Sequence, residues 1–140
     1  MDFAGMNYLA ILLAGIAGYM FGAVYYGTLA NAWLDALGKT KEEVMGPDGK
    51  GSKLPFVLAA IAALVMAFVL AGTIGHLGAG QVTLRNGIIS GAFVWAGFIA
   101  TTVTVNNAYQ GQSFKLTMID AGHWLGVLII QGAVLGFMGV

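Results

Sequence analysis

The chain reads as an all-α integral membrane protein, a single-domain bundle of four transmembrane helices, and composition, charge spacing and cysteine content carry that reading. Of its 140 residues, 59% are apolar and only 9% are charged, where soluble domains run near roughly 45–50% and about 25%. So little polar surface cannot cover a soluble globule. Six basic and six acidic residues cancel to zero formal charge, which leaves no basic face for nucleic acid. The charges stand in clusters. Thirty-two residues separate Asp2 from Asp35, 31 separate Lys53 from Arg85, 29 separate Arg85 from Lys115, and 20 follow Asp120. A helix of about 20 apolar residues crosses the ~30 Å of bilayer hydrocarbon, so each gap fits one crossing. The gaps are too long and too continuously apolar for barrel strands of about 10 residues. With no cysteine in the chain, disulfides, thiolate metal sites and lipidated thiols are excluded.

The first helix is expected at about 7–30. Met1-Asp2-Phe3 offers no positive start and the apolar run is long, so it reads as a span and not as a signal peptide. Gly27-Thr28 is expected to break or bend it. A short amphipathic continuation through Asn31, Trp33 and Leu37 then stops at Gly38, with Tyr25, Tyr26 and Trp33 at headgroup depth. The loop at about 38–54 is the one sizeable polar segment. Its Gly46-Pro47-Asp48-Gly49-Lys50-Gly51-Ser52-Lys53 run resembles a phosphate-binding loop only superficially. Ser and Lys are in the wrong order and no strand precedes, so it reads as a flexible turn. Leu54-Pro55 opens the second helix, about 55–79, with proline in the first turn. The third helix, about 86–108, starts apolar and ends polar at Thr101, Thr102, Thr104, Asn106 and Asn107. The fourth occupies about 116–139.

Orientation follows from the basic residues. Lys39, Lys41, Lys50 and Lys53 in the first loop and Lys115 in the third oppose Arg85 alone in the second. The positive-inside rule places loops one and three in the cytoplasm and both termini outside.

Twenty-two glycines invite close helix packing. Gly-xxx-Gly pairs occur at Gly18/Gly22, Gly87/Gly91, Gly122/Gly126 and Gly132/Gly136, but about three are expected by chance, so the count says nothing about dimerisation. Longer small-residue rows are more informative. Ala10, Ala14, Gly18 and Gly22 share one face of the first helix; Ala59, Ala63, Ala67, Ala71 and Gly75 share one face of the second. Such ridges let backbones approach in lipid.

Ionisable groups at membrane depth are the natural pointers to function. Asp120 and His123 lie three apart on the fourth helix and share a face, with Trp124 adjacent. Asn31, Asp35, Thr101, Thr104, Asn106 and Asn107 fall at the same end of the bundle. If helices one, three and four converge there, Asp120, His123, Asn106, Asn107, Tyr26 and Trp33 form a ligand-binding vestibule. Against it stands a structural role: Thr117-x-x-Asp120 has capping-box spacing, and His123 has a carbonyl or Asn107 within reach. His76 and His123 differ in depth by ~20 Å, so they cannot share a haem. No cofactor or metal is expected, and Gln131 reads as an interhelical hydrogen bonder. No intramembrane Glu appears, which weighs against a small multidrug exporter.

The run Gly18-Tyr19-Met20-Phe21-Gly22-Ala23-Val24-Tyr25-Tyr26-Gly27-Thr28, followed by Trp33 and Leu37-Gly38, resembles the bacterial "domain of unknown function 1761" family. Ile119-Asp120-Ala121-Gly122-His123-Trp124-Leu125 and Gln131-Gly132-Ala133-Val134-Leu135-Gly136 also look familial. The chain departs from the pattern with Tyr25 in place of Trp and Thr28 in place of Pro. The resemblance covers essentially the whole chain. It implies a small four-span protein of the bacterial cytoplasmic membrane and names no reaction. The leading functional reading is a non-catalytic accessory or scaffold subunit, packing against a larger membrane complex or as a homo-oligomer. The alternatives are a small carrier, channel or ligand binder using the vestibule, and a membrane enzyme with Asp120 and His123 as acid–base pair.

Overall fold

The computed structural model describes residues 5–78 and 80–140, and among them every regular element is helical. We number the helices α1 (Tyr8–Leu37), α2 (Lys41–Met45), α3 (Leu54–Gly75), α4 (Leu84–Tyr109) and α5 (Phe114–Met138). All but α2 are long and apolar enough to cross a membrane. The protein is a multi-pass membrane protein with an all-α bundle.

α1 begins where the Asn7 side chain accepts the Ala10 amide at 3.0 Å, while its amide donates to the Met138 carbonyl at 3.2 Å and ties the start of α1 to the end of α5. The expected break at Gly27-Thr28 does not occur, and α1 runs unbroken for 30 residues. A glycine inside a helix costs about 1 kcal/mol but keeps its N–H, as does threonine; only proline would remove a ladder bond. The Thr28 hydroxyl folds back on the Tyr25 carbonyl at 2.9 Å, and the far end gains its own packing from Ala36 against Leu116 and Ile119, flanked by Trp33 and Leu37. α1 stops at Gly38 as expected. With φ at 69° Gly38 sends its N–H to the Asp35 carbonyl, and the Lys39 N–H reaches Leu34. This is a left-handed cap that glycine adopts without penalty.

The polar loop holds one element the sequence reading did not anticipate. In α2, Thr40 and Glu43 cap each other reciprocally. Pro55 sits in the first turn of α3. α4 contains a π-helical stretch, Trp95–Ala100, between two α-helical halves, Leu84–Val94 and Thr101–Tyr109. α5 starts at Ser113, whose hydroxyl accepts the Leu116 amide at 3.1 Å and donates to the Ala36 carbonyl at 2.8 Å. Thr117, whose capping-box spacing with Asp120 allowed a structural role, lies inside the helix that Ser113 caps.

α5 is the central helix, in contact with α1, α3 and α4. The ridge of Ala10, Ala14, Gly18 and Gly22 is buried along its whole length, and Ala63, Ala67 and Ala71 of the α3 ridge are buried too. An added methyl at Gly15 would strike Leu64 of α3; one at Gly18 would strike Val127 and Gln131 of α5. The tightest seam joins α4 to α5, where Gly87 faces Gly132, Gly91 faces the Leu128 backbone and Gly136 faces the Thr83 backbone. Leu12, Ile16, Met20, Val57, Ile61, Val65 and Phe93 point outward, as lipid-facing side chains do.

Candidate functional site

Among the described residues the buried polar side chains, Thr117, His123 and Gln131, all lie on α5. Gln131 is fully buried, and its amide donates to the Ala63 carbonyl of α3 at 2.8 Å. This is the interhelical bond expected of it, and a carbonyl already in a helical ladder still has a second lone pair to offer. Three turns nearer the basic end, where the first and third loops carry their lysines, Asp120 is half-buried on the face towards α1. It stands 18 residues before Met138, or ~27 Å along the axis. If the Met138 end marks one edge of the hydrocarbon, Asp120 marks the other.

The Tyr26 hydroxyl of α1 donates to the Asp120 carboxylate at 2.8 Å. Trp33 joins the cluster through its ring contact with Tyr26. Tyr26 and Trp33 are seven residues apart, two turns, and so share a face; their rings meet edge to face at 6.2 Å. One residue back, the Tyr25 hydroxyl donates to the Ile119 carbonyl at 3.0 Å. Two helices therefore build the cluster, α1 supplying neutral donors and α5 the acid.

His123 is buried, 8% exposed, inside a ring of aromatic side chains. Its centroid lies 4.8 Å from Tyr26, 5.7 Å from Tyr25, 6.4 Å from Phe21 and 4.6 Å from Trp124. Its Nε2 lies against Gly22, where a methyl would come within 2.6 Å. Its Nδ1 is buried without a hydrogen-bond partner. His123 bonds neither Asp120 nor Asn107, so the carboxylate–imidazole pair that their spacing suggested is not formed. Asn107 donates instead to the Thr117 hydroxyl at 3.1 Å.

Of the six residues assigned to a vestibule, the structure brings Tyr26, Trp33, Asp120 and His123 together. Asn107 braces α4 against α5 nearby, and Asn106 is exposed. Asn31 and Asp35 are exposed too; each lies more than a quarter-turn from the Tyr26–Trp33 face of α1, at 100° per residue. The sequence reading missed Phe21 and Tyr25, whose signal was their i, i+4 spacing opposite two glycines of α5. A methyl at Gly126 would strike the Phe21 ring, and one at Gly122 would come within 2.9 Å of the Tyr25 hydroxyl. It also missed Trp95, whose indole donates to the Ala121 carbonyl at 2.7 Å, directly behind the cluster. His76 is exposed at the far end, beside a cavity of about 230 Å³ lined with Gly5, Met6, Ala71, Gly72 and Gly75.

A family model described as "Protein of unknown function (DUF1761)" matches residues 9–136. The chain belongs to the DUF1761 family. The match spans nearly all of α1 and α5 and the whole of α3 and α4, so Tyr26, Trp33, Asp120 and His123 all lie within the family domain. No curated protein and no solved structure matches the chain.

Proposed function

We propose that this member of the family is a non-catalytic membrane protein that holds a small ligand at the Tyr26–Trp33–Asp120 cluster. The observation that carries the reading is a half-buried carboxylate at the edge of the membrane, bonded by the neutral Tyr26 hydroxyl and left without a cationic partner among the described residues. Uncompensated charge at such depth is costly and is kept where it serves a ligand or ion. A non-catalytic role fits better than acid–base catalysis, because His123 is packed into its aromatic ring and not aimed at Asp120. By the positive-inside rule the cluster faces the cytoplasm and both termini lie outside, which suits a cytoplasmic membrane. The test is gentle extraction followed by native mass spectrometry. We expect the wild type to retain a small molecule that Asp120→Asn loses with assembly unchanged. Identical spectra for the two proteins would sink the reading.

A second reading, an accessory or scaffold subunit packed against a larger membrane complex or a second copy, is favoured by α4. This helix is held by its seam with α5 and leaves Phe93, Gly97, Phe98 and Val105 exposed. The α1 ridge no longer supports it, since the chain's own helices occupy it, and the α3 ridge is covered at Ala63, Ala67 and Ala71. On this reading the extracted protein carries a stoichiometric partner, and Gly97→Leu releases that partner while Asp120→Asn does not.

A further inference from the structure

We propose that Asp120, Tyr26 and Trp33 form a binding site for an organic ammonium group, whether the headgroup amine of a lipid or a free amine. The inference rests on reading this cluster as a ligand site and names the chemistry it selects.

Charge comes first. Asp120 is satisfied in part by the Tyr26 hydroxyl, a neutral donor. Among the described residues no Lys, Arg or His pairs with it. Lys115, the nearest cation along α5, is five residues away, or about 140° around the helix. Arg85 lies at the start of α4, towards the other end of the bundle. His123 is one turn away but turns its Nε2 to Gly22. When Asp120 is ionised, the cluster has one negative charge with no cation to balance it.

Shape and surface decide what kind of cation fits. The Tyr26 and Trp33 rings meet edge to face at 78°, and Tyr26 also bonds the carboxylate, so aromatic surface lies beside the acid. Aromatic faces attract cations through the ring quadrupole, and weakly hydrated organic ammonium groups benefit most. A hard metal ion is a poorer match. Calcium takes about 6–8 oxygen ligands, whereas the described residues gather no group of three metal-ligating side chains. Depth agrees. Asp120 lies ~27 Å from the far end of α5, at the level where lipid headgroups begin. All three residues are half-buried, so each keeps part of its surface exposed.

The test uses the full-length protein in nanodiscs of phosphatidylglycerol, which lacks an amine, and follows tryptophan fluorescence. The titrants are choline, its neutral isostere 3,3-dimethyl-1-butanol, and sodium at matched ionic strength. The expected result is a saturable change with choline alone, weakened ~tenfold or more by Asp120→Asn and less by Tyr26→Phe. Asp120→Glu, which keeps the charge, retains the response and separates loss of the site from loss of the fold; helix content by circular dichroism is read alongside. A second arm replaces half of the lipid with phosphatidylethanolamine. If the resident ligand is a lipid amine, the bound signal is present at once and choline adds nothing. If it is a free amine, choline titrates as before. Equal responses to choline and its isostere, or an Asp120→Asn titration identical to wild type, would overturn the proposal. So would no saturable change in either lipid. Should native mass spectrometry show an Asp120-dependent ligand while choline and phosphatidylethanolamine both fail, the ligand site stands and the ammonium assignment falls.

Discussion

Along α4, the stretch from Leu84 to Val94 lies backbone to backbone on α5, whereas the stretch from Thr101 to Tyr109 is braced there by the Asn107 amide on Thr117. The first half buries Gly87 and Gly91; the second buries nothing. Both are helical. The second half is the more polar, but what sets their packing apart is where side chains are missing. Gly87 and Gly91 meet Gly132 and Leu128 at a distance no side chain allows. Past Val94 the π stretch adds a residue to the turn, and an extra residue rotates everything after it relative to the seam. Trp95 stands at that junction and bonds across to Ala121.

The largest effect is expected at the seam. A methyl at Gly132 would overlap the Gly87 carbonyl, and one at Gly91 would overlap the Leu128 carbonyl. Backbone atoms cannot swing aside as a flexible side chain can, so relief requires the helices to part. Gly132→Ala and Gly91→Ala should each destabilise the bundle by about 3 kcal/mol. Gly97→Ala, in the π stretch, meets open space and should be neutral or stabilising by up to ~1 kcal/mol through helix propensity. Thermal denaturation in detergent measures all three. Equal losses at Gly97 and Gly132 would mean that close backbone contact at the seam does not set the difference between the halves.

A smaller effect is expected at the junction. Trp95→Phe keeps a ring but removes the donor to Ala121. Interhelical hydrogen bonds in bilayers average about 0.6 kcal/mol, so global stability should fall by no more than ~1 kcal/mol. Hydrogen exchange should quicken from Thr101 to Tyr109 and hold steady from Leu84 to Val94. A uniform increase along α4 would show that the two halves move as one.

The contrast also explains what was legible in the sequence. Spacing between charges marks out the four spans because the bilayer sets their length. Gly38 and Pro55 announce their helix ends through backbone conformation alone. The α1 and α3 ridges are visible because fourfold spacing needs no knowledge of a partner. The Gly87/Gly91 and Gly132/Gly136 pairs were also in view, but their number matched chance. Only the crossing of α4 on α5 shows that they face each other inside one chain. At the site, Asp120 and His123 share a helix face as their spacing requires, yet the imidazole is held by Phe21, Tyr25 and Tyr26 from α1, which no local pattern on α5 reveals. Asn31, Asp35 and Asn106 were grouped with the site by depth, and depth says nothing about which way a residue faces around its helix.

The smallest effect belongs to α2, the limiting case of structure without packing. It buries no residue, so its order rests on local bonds. The Thr40 N–H donates to the Glu43 carboxylate at 2.6 Å, and the Thr40 hydroxyl accepts the Glu43 N–H at 3.2 Å. These bonds to Thr40, backbone first, hold the Glu43 carboxyl below the usual carboxylate value. A group lowered in the folded loop contributes order above its unfolded pKa and loses that contribution as pH falls through the folded one. Amide protection around Lys41–Met45 should therefore weaken as pH drops below the ordinary glutamate value, and the step should vanish in Glu43→Gln. Thr40→Ala should fray the helix at every pH. Neither change should move the melting of the membrane bundle, because nothing in α2 is buried against it. If Glu43→Gln did shift that melting, α2 would have to be docked on the bundle, and the division between packed and locally held structure would fail at its clearest point.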